Sequence, residues 1–276
     1  MQKNSFTDNK NNNFIITQSN NLWLGSFPLL TEAGFTNGCS CRLHGDSDVA
    51  ANTLNLALHV GDDAAKVLRN RQKFAAALEV DADKFTTCRQ VHGSRVAVVT
   101  ADLIGRGAYD LADTIEDTDA LVTNLENVPL LLFYADCVPV LLADRRRRVI
   151  GLAHAGWRGT AAQIAVQTVQ VMQQQFGSDP ADILAAIGPS IGSCCYEVDD
   201  YVRDKFGGYE EFFAAKANGK YQLDLWGVNR RQLIEAGVAA DNIAVAEVCT
   251  SCNSQLFCSY RAEQGKTGRM GVCLSL

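Results

Sequence analysis

The sequence predicts a mixed α/β domain with more than one sheet layer. Three observations predict it. Short apolar runs rich in β-branched residues fill the middle of the chain, two longer stretches repeat apolar residues three and four apart, and the two patterns alternate without a regular βαβ rhythm. In chain order, the helical period predicts a helix over 64–78, and strands follow over 95–100, 120–123, 130–134, 138–143 and 149–153. A second helix is predicted over 160–176, closed by Gly177 as helices often are, and later strands lie near 183–187 and 243–246. No GxGxxG follows a strand and no GxxxxGKS/T occurs, so neither a Rossmann unit nor a P-loop is indicated.

No Pro-rich or Gly/Ser-rich linker divides the chain and no repeat of fixed period occurs, so one domain over 21–276 is expected after a flexible polar tail over 1–20. A chain of 276 residues with 47% hydrophobic content can bury a real core. Its net charge of −6 argues against nucleic acid, because phosphate backbones select clustered Lys and Arg. The one basic run, Arg145 to Arg148, reads as a solvated turn. The amino-terminal residues lack the apolar segment of a signal peptide. The most apolar stretch, 129–143, is interrupted by Asp136 and is shorter than the roughly 20 residues of a membrane span. A soluble, cytoplasmic protein is therefore expected. The ten Cys then read as reduced thiols rather than a disulfide framework. Cys249 and Cys252 form a CxxC, but no second CxxC follows, so the pair reads as small buried apolar residues and not as half of a four-Cys zinc site.

Only four His occur, at 44, 59, 92 and 154. His92 lies in RQVHGS before the strand at 95, and His154 in GLAHAGWRGT, where a strand gives way to a glycine-flanked loop. Cys137 follows Asp136 between two apolar strands, a polar break that is costly without a function or a satisfied hydrogen bond. Two imidazoles and a thiolate at strand ends could supply three ligands of an open tetrahedral zinc, although spacing alone fits isolated structural residues as well. Gly156 and Gly159 let the backbone approach a ligand, Thr160 is a candidate N-cap, and Arg158 offers a donor fork to phosphate or carboxylate. A packed Trp157 beside a solvated Arg158 explains that segment equally well. The turn at 187–198 is either a ligand loop or an ordinary bend, with Glu197 as a candidate acid/base group and His59 read as structural.

Together, RQVHGS, DTDALVTN, PLLLFYADCVPVLLAD, GLAHAGWRGT, AAIGPSIGSCCYEV, CT followed by FCSYR, and TGRMGV resemble the YfiH family, also called the polyphenol oxidase or laccase-domain family and the purine nucleoside phosphorylase-like family. The resemblance runs from about Gly34 to the carboxyl terminus. It departs at TNGCSCR, where such proteins carry an early glycine pair. The resemblance implies a four-layer α/β/β/α domain and a zinc held by His92, Cys137 and His154, which are also the catalytic residues. It implies substrate-binding roles for Arg158, Asn55 of the NLALHVGDD segment, Arg261 and Arg269.

The activity it implies is phosphorolysis of adenosine, inosine and methylthioadenosine, with deamination of adenosine, so the partners are a purine nucleoside and phosphate. Copper could occupy the same ligands in vitro, but four His cannot build both a blue-copper centre and a trinuclear cluster. The alternative is an amide hydrolase that edits UDP-linked muramic acid precursors, with Cys137 as a nucleophile activated by His154 or with the metal in that role.

Overall fold

Apolar runs without alternation need cover on both faces, and the strands over 120–155 obtain it by lying inside a stack of layers. The computed structural model describes residues 12–49 and 54–276. Its strands are β1 Ile15–Ser19, β2 Leu22–Ser26, β3 Thr36–Ser40, β4 Val96–Val98, β5 Ala120–Thr123, β6 Leu130–Tyr134 and β7 Val138–Asp144. They continue with β8 Val149–Ala155, β9 Ile183–Ile187, β10 Glu197–Val198, β11 Phe213–Ala215, β12 Tyr221–Leu223, β13 Ile243–Val245 and β14 Met270–Ser275. The helices are α1 Pro28–Thr31, α2 Ala64–Leu78, α3 Trp157–Ala161, α4 Ile164–Phe176, α5 Asp200–Arg203 and α6 Leu225–Glu235.

One sheet has the order β1-β2-β3-β14-β6 and is antiparallel throughout. A second, mixed sheet has the order β13-β9-β7-β8-β5-β4, with parallel pairs at β13/β9 and β4/β5. A small ribbon, β10-β12-β11, stands apart. Side chains divide by strand period into three cores. Leu130, Leu132, Met270 and Val272 meet Leu141, Ile150 and Leu152 between the sheets. Leu131, Phe133 and Cys273 point the other way, onto Phe74 and Ala75 of α2. Val140, Leu142 and Ala153 face Ile164, Val169 and Met172 of α4, with Val228 and Leu233 of α6. The layers are therefore α/β/β/α, as the resemblance implied.

Helix α2 has the expected bounds because Asp63 caps it, accepting from the Ala65 and Lys66 N–H groups. The helix expected over 160–176 is instead two helices. Gln163 takes a left-handed conformation between them, and Gly156, not Thr160, occupies the N-cap position of α3. Thr160 lies within α3, where its hydroxyl and carbonyl accept from Asn229 and Gln232 of α6. The turn that should have continued into α4 is thus tied to a neighbouring helix. Gly177 does close α4, in the left-handed conformation.

The tail expected over 1–20 overlaps a strand: Ile15–Ser19 pairs with β2 through a two-residue turn at Asn20 and Asn21, both with positive φ, while residues 1–11 lie outside the described residues. Arg145 to Arg148 form the solvated turn between β7 and β8. Among the described residues no helix is long and apolar enough to cross a membrane.

Because Leu141 is fully buried between the sheets, Leu141→Ala should lower the unfolding free energy by about 2–5 kcal/mol in a urea titration. Leu111→Ala, at a residue 38% exposed, should change it by less than about 1 kcal/mol.

Candidate metal centre and its pocket

The chain passes from one sheet to the other between β6 and β7, and Cys137 is the last residue of that crossing. Beside it, His154 is the penultimate residue of β8, in register with Pro139 of β7. Its strand parity turns the ring toward the inter-sheet layer, where it lies 5.4 Å from the Tyr134 ring. His92 stands in the loop before β4 in a left-handed conformation, φ 60°. The ring centroids of His92 and His154 are 4.9 Å apart, and one ligand atom from each of His92, Cys137 and His154 lies within 4.8 Å of the others.

A residue that the sequence reading left without a role organises this set. Asp119, at the entrance to β5, is buried. Its carboxylate accepts from the N–H groups of Val91, His92 and Gly93 at 3.2, 3.0 and 2.7 Å and lies 2.9 Å from His154 Nδ1. The first three bonds hold the His92 loop. The fourth fixes the His154 tautomer with Nδ1 as donor, leaving Nε2 for a metal, which is the usual outer partner of a metal-bound imidazole. Burial raises the Asp119 pKa, but the His154 contact and the Gly93 and Val91 N–H groups prevail and hold it below its ordinary value.

Without a metal Cys137 and His154 would share a proton. Burial pushes the Cys137 thiol up, but the His154 charge and hydrogen bonds to both imidazoles outweigh it and bring the pKa down to about 6. Burial lowers His154, yet Cys137 and Asp119 raise it to about 9. A thiolate is therefore ready at neutral pH, as a ligand must be. Gly156 completes the fit. A Cβ there would stand 2.9 Å from Cys137 Sγ and 3.2 Å from the His92 ring, so only glycine leaves the ligands room. These glycines admit the protein's own groups: a Cβ on Gly159 would press on the His154 and Gly93 carbonyls at 3.1 and 3.2 Å.

The three ligands stand in a cavity of about 550 Å³. Phe133, Trp157, Tyr196 and Tyr260 give it aromatic walls, and Arg158, Arg261 and Arg269 reach it. Arg158 is exposed, lies 4.3 Å over the Trp157 ring and forms no ion pair among the described residues. Arg261 donates to the carbonyls of Cys195 and Glu197 at 3.2 and 3.1 Å, and Arg269 to those of Thr267 and Gly268 at 2.9 and 3.0 Å.

Asp136, φ 82°, ties this wall together. Its carboxylate accepts from the Thr250 hydroxyl and the Arg261 N–H, both at 2.6 Å, which satisfies the polar break seen in the sequence.

Two candidates do not reach the cavity. The Asn55 amide is buried and committed to Ala57, Asp62 and the Arg269 N–H, so it supports the backbone of Arg269 instead of meeting a ligand. Glu197 pairs with Lys216, Lys220 and Asn218, which lower its pKa to about 2 and leave it no acid/base role at neutral pH. His59, read as structural, lines the cavity edge-on to Phe133 at 6.1 Å; enclosure and the Arg269 and Arg71 charges lower its pKa and keep it neutral.

A family model described as multi-copper polyphenol oxidoreductase laccase matches residues 36–276. The chain belongs to this family, which takes in YfiH. The crystal structure of Bacillus licheniformis YfiH superposes with a TM-score of 0.89 at 39% identity, covering 94% of this chain and 97% of the other. Purine nucleoside phosphorylase YlmD of Geobacillus stearothermophilus is 42% identical over 243 residues, 86% of this chain and 89% of that protein. Adenosine deaminase RL5, from an unknown prokaryotic organism, is 37% identical over 229 residues, 81% of this chain and 87% of that protein.

Asp119→Asn places an amide against four donors. It should lower metal affinity by about 10–100-fold in equilibrium dialysis while thermal unfolding stays cooperative. In metal-free protein, alkylation of Cys137 followed by mass spectrometry should reach half its maximal rate near pH 6, falling below that pH, and His154→Ala should move the midpoint upward.

Proposed function

We propose that this YfiH-family protein is a cytoplasmic, zinc-dependent purine nucleoside enzyme that carries out phosphorolysis of adenosine, inosine and methylthioadenosine and deaminates adenosine. The observation that carries the reading is the cavity, which sets a three-ligand cluster at the base of aromatic walls and arginines. The printed names of two relatives, a purine nucleoside phosphorylase and an adenosine deaminase, support it. His92, Cys137 and His154 would hold a zinc ion, which would supply Lewis acidity in the cavity. The donors favour zinc over a copper oxidase, since four His are too few for both copper centres.

The chain's own residues do the rest. Trp157, Tyr196, Tyr260 and Phe133 offer faces on which a purine stacks. Arg158 is the anion-binding fork, because Arg261 and Arg269 already spend donors on backbone carbonyls. In phosphorolysis a phosphate oxygen held by Arg158 bonds to C1′ as the bond from C1′ to the purine breaks. The bonding electrons leave with the base, which takes up the proton that the attacking hydrogen phosphate gives up. Deamination needs no phosphate, so Arg158 separates the two reactions.

A second reading is amide hydrolysis of UDP-linked muramic acid precursors. The observation that favours it is the proton sharing between Cys137 and His154, which is the charge state of a nucleophilic Cys–His pair.

Metal analysis combined with turnover distinguishes them. His92→Ala, Cys137→Ala and His154→Ala should each lose one equivalent of zinc and all nucleoside turnover while staying folded. Arg158→Ala should raise the KM for phosphate about 10-fold or more and leave adenosine deamination nearly unchanged. Equal losses in both reactions would assign Arg158 to structure. Amide hydrolysis that survives complete zinc removal, with a covalent adduct at Cys137, would overturn the nucleoside reading.

A further inference from the structure

The CxxC of the sequence has a partner that spacing did not reveal. Ser190 N–H donates to the Val248 carbonyl and Thr250 N–H to the Ser190 carbonyl, so the loop after β9 lies along the loop after β13. At 192–196 the first loop turns tightly, with the Cys195 and Tyr196 N–H groups both donating to the Gly192 carbonyl at 3.0 Å. That turn brings the adjacent Cys194 and Cys195 onto the same side, facing Cys249 and Cys252.

The four sulfurs all lie within 4.8 Å of one another, and Cys252 Sγ is 3.5 Å from Cys194 Sγ and 3.4 Å from Cys195 Sγ. A tetrahedron with zinc–sulfur bonds of about 2.3 Å has edges of about 3.8 Å. A disulfide would need a pair at about 2.05 Å, whereas all four are free thiols. The Gly192 N–H donates to Cys249 Sγ at 3.3 Å, a bond that favours thiolate over thiol, and a Cβ on Gly192 would stand only 3.2 Å from Cys249 Cβ. Cys249 is buried as expected, but Cys252 is exposed, so burial of small apolar side chains does not explain the pair.

We propose that Cys194, Cys195, Cys249 and Cys252 form a second, closed zinc site. It clamps the two loops together and thereby positions the cavity wall. Tyr196 follows Cys195 directly, Arg261 is held by the Cys195 carbonyl, and Thr250, inside the CxxC, donates to Asp136. The site depends on neither the metal of the first cluster nor its chemistry.

The experiment is zinc analysis of the full chain, purified under reducing conditions without added metal. The expected result is two zinc per chain, with one left in Cys252→Ser and in Cys194→Ser. The zinc remaining in His92→Ala should be held by four thiolates, so its cobalt-substituted form should show intense visible bands of tetrahedral thiolate-bound cobalt. In unmutated protein, all four Cys should resist alkylation until a chelator is added. Cys252→Ser with an unchanged zinc content would overturn the proposal. So would iron in place of zinc, a disulfide among the four, or free alkylation of all four in metal-replete protein. Loss of zinc in His92→Ala but not in Cys252→Ser would leave the first site standing and remove only the second; the reverse would remove only the first.

Discussion

The buried carboxylate of Asp119 is the constraint on which the site depends. An unpaired carboxylate in that position would be expensive to bury, and here four donors converge on it. Each donor is a structural decision. Three successive N–H groups fold the segment that carries His92, and the imidazole of His154 is turned so that one nitrogen remains free. The backbone of Asp119 adds to this, since its carbonyl accepts from the His154 N–H and its own N–H donates to the Arg95 carbonyl. One residue therefore sets two of the three ligands and joins the loop before β4 to the entrance of β5.

The layers decide where such a cluster can open to substrate. Side chains between the sheets are packed without solvent, so chemistry is possible only where the inter-sheet core ends. The crossing from β6 to β7 is such an end, and it delivers Cys137 there. His154 is held on a strand, His92 in a loop tied to Asp119 and Cys137 next to β7, whereas the arginines come from loops and a short helix. Asp136 links these loops to the crossing by accepting from Thr250 and from the Arg261 backbone. The loop of His92 and the ring of His154 are thus fixed by the Asp119 network, and the wall that carries Arg261 by the Asp136 network.

The same loops carry the four-Cys cluster, so the proposed zinc there would brace the wall bearing Tyr196 and Arg261. In the proposed reading a closed zinc there would be a structural device, and an open three-ligand zinc in the cavity a reactive one. The family's copper-oxidase description names neither. The two donor sets differ in the way their roles require, one saturated by protein and one with a free coordination direction.

The sequence by itself determined the continuous buried strands at 120–123, 130–134 and 183–187 and the helix at 64–78, because apolar pattern acts over a few residues. Its motifs also singled out His92, Cys137, His154 and the three arginines of the cavity, through resemblance rather than spacing. Tertiary structure alone decided what depends on residues remote in the chain. It assigned Asp119 to His154, turned Asn55 inward to Arg269 and Glu197 outward to two lysines, and ended α3 against α6. It also brought Cys194 and Cys195 to Cys249 and Cys252, made Ile15–Ser19 a strand by giving it β2 as a partner, and placed Met270–Ser275 between β3 and β6. Local sequence encodes whether a segment forms a helix or strand, but a buried polar group is satisfied by whichever partner the packed layers bring within hydrogen-bonding distance.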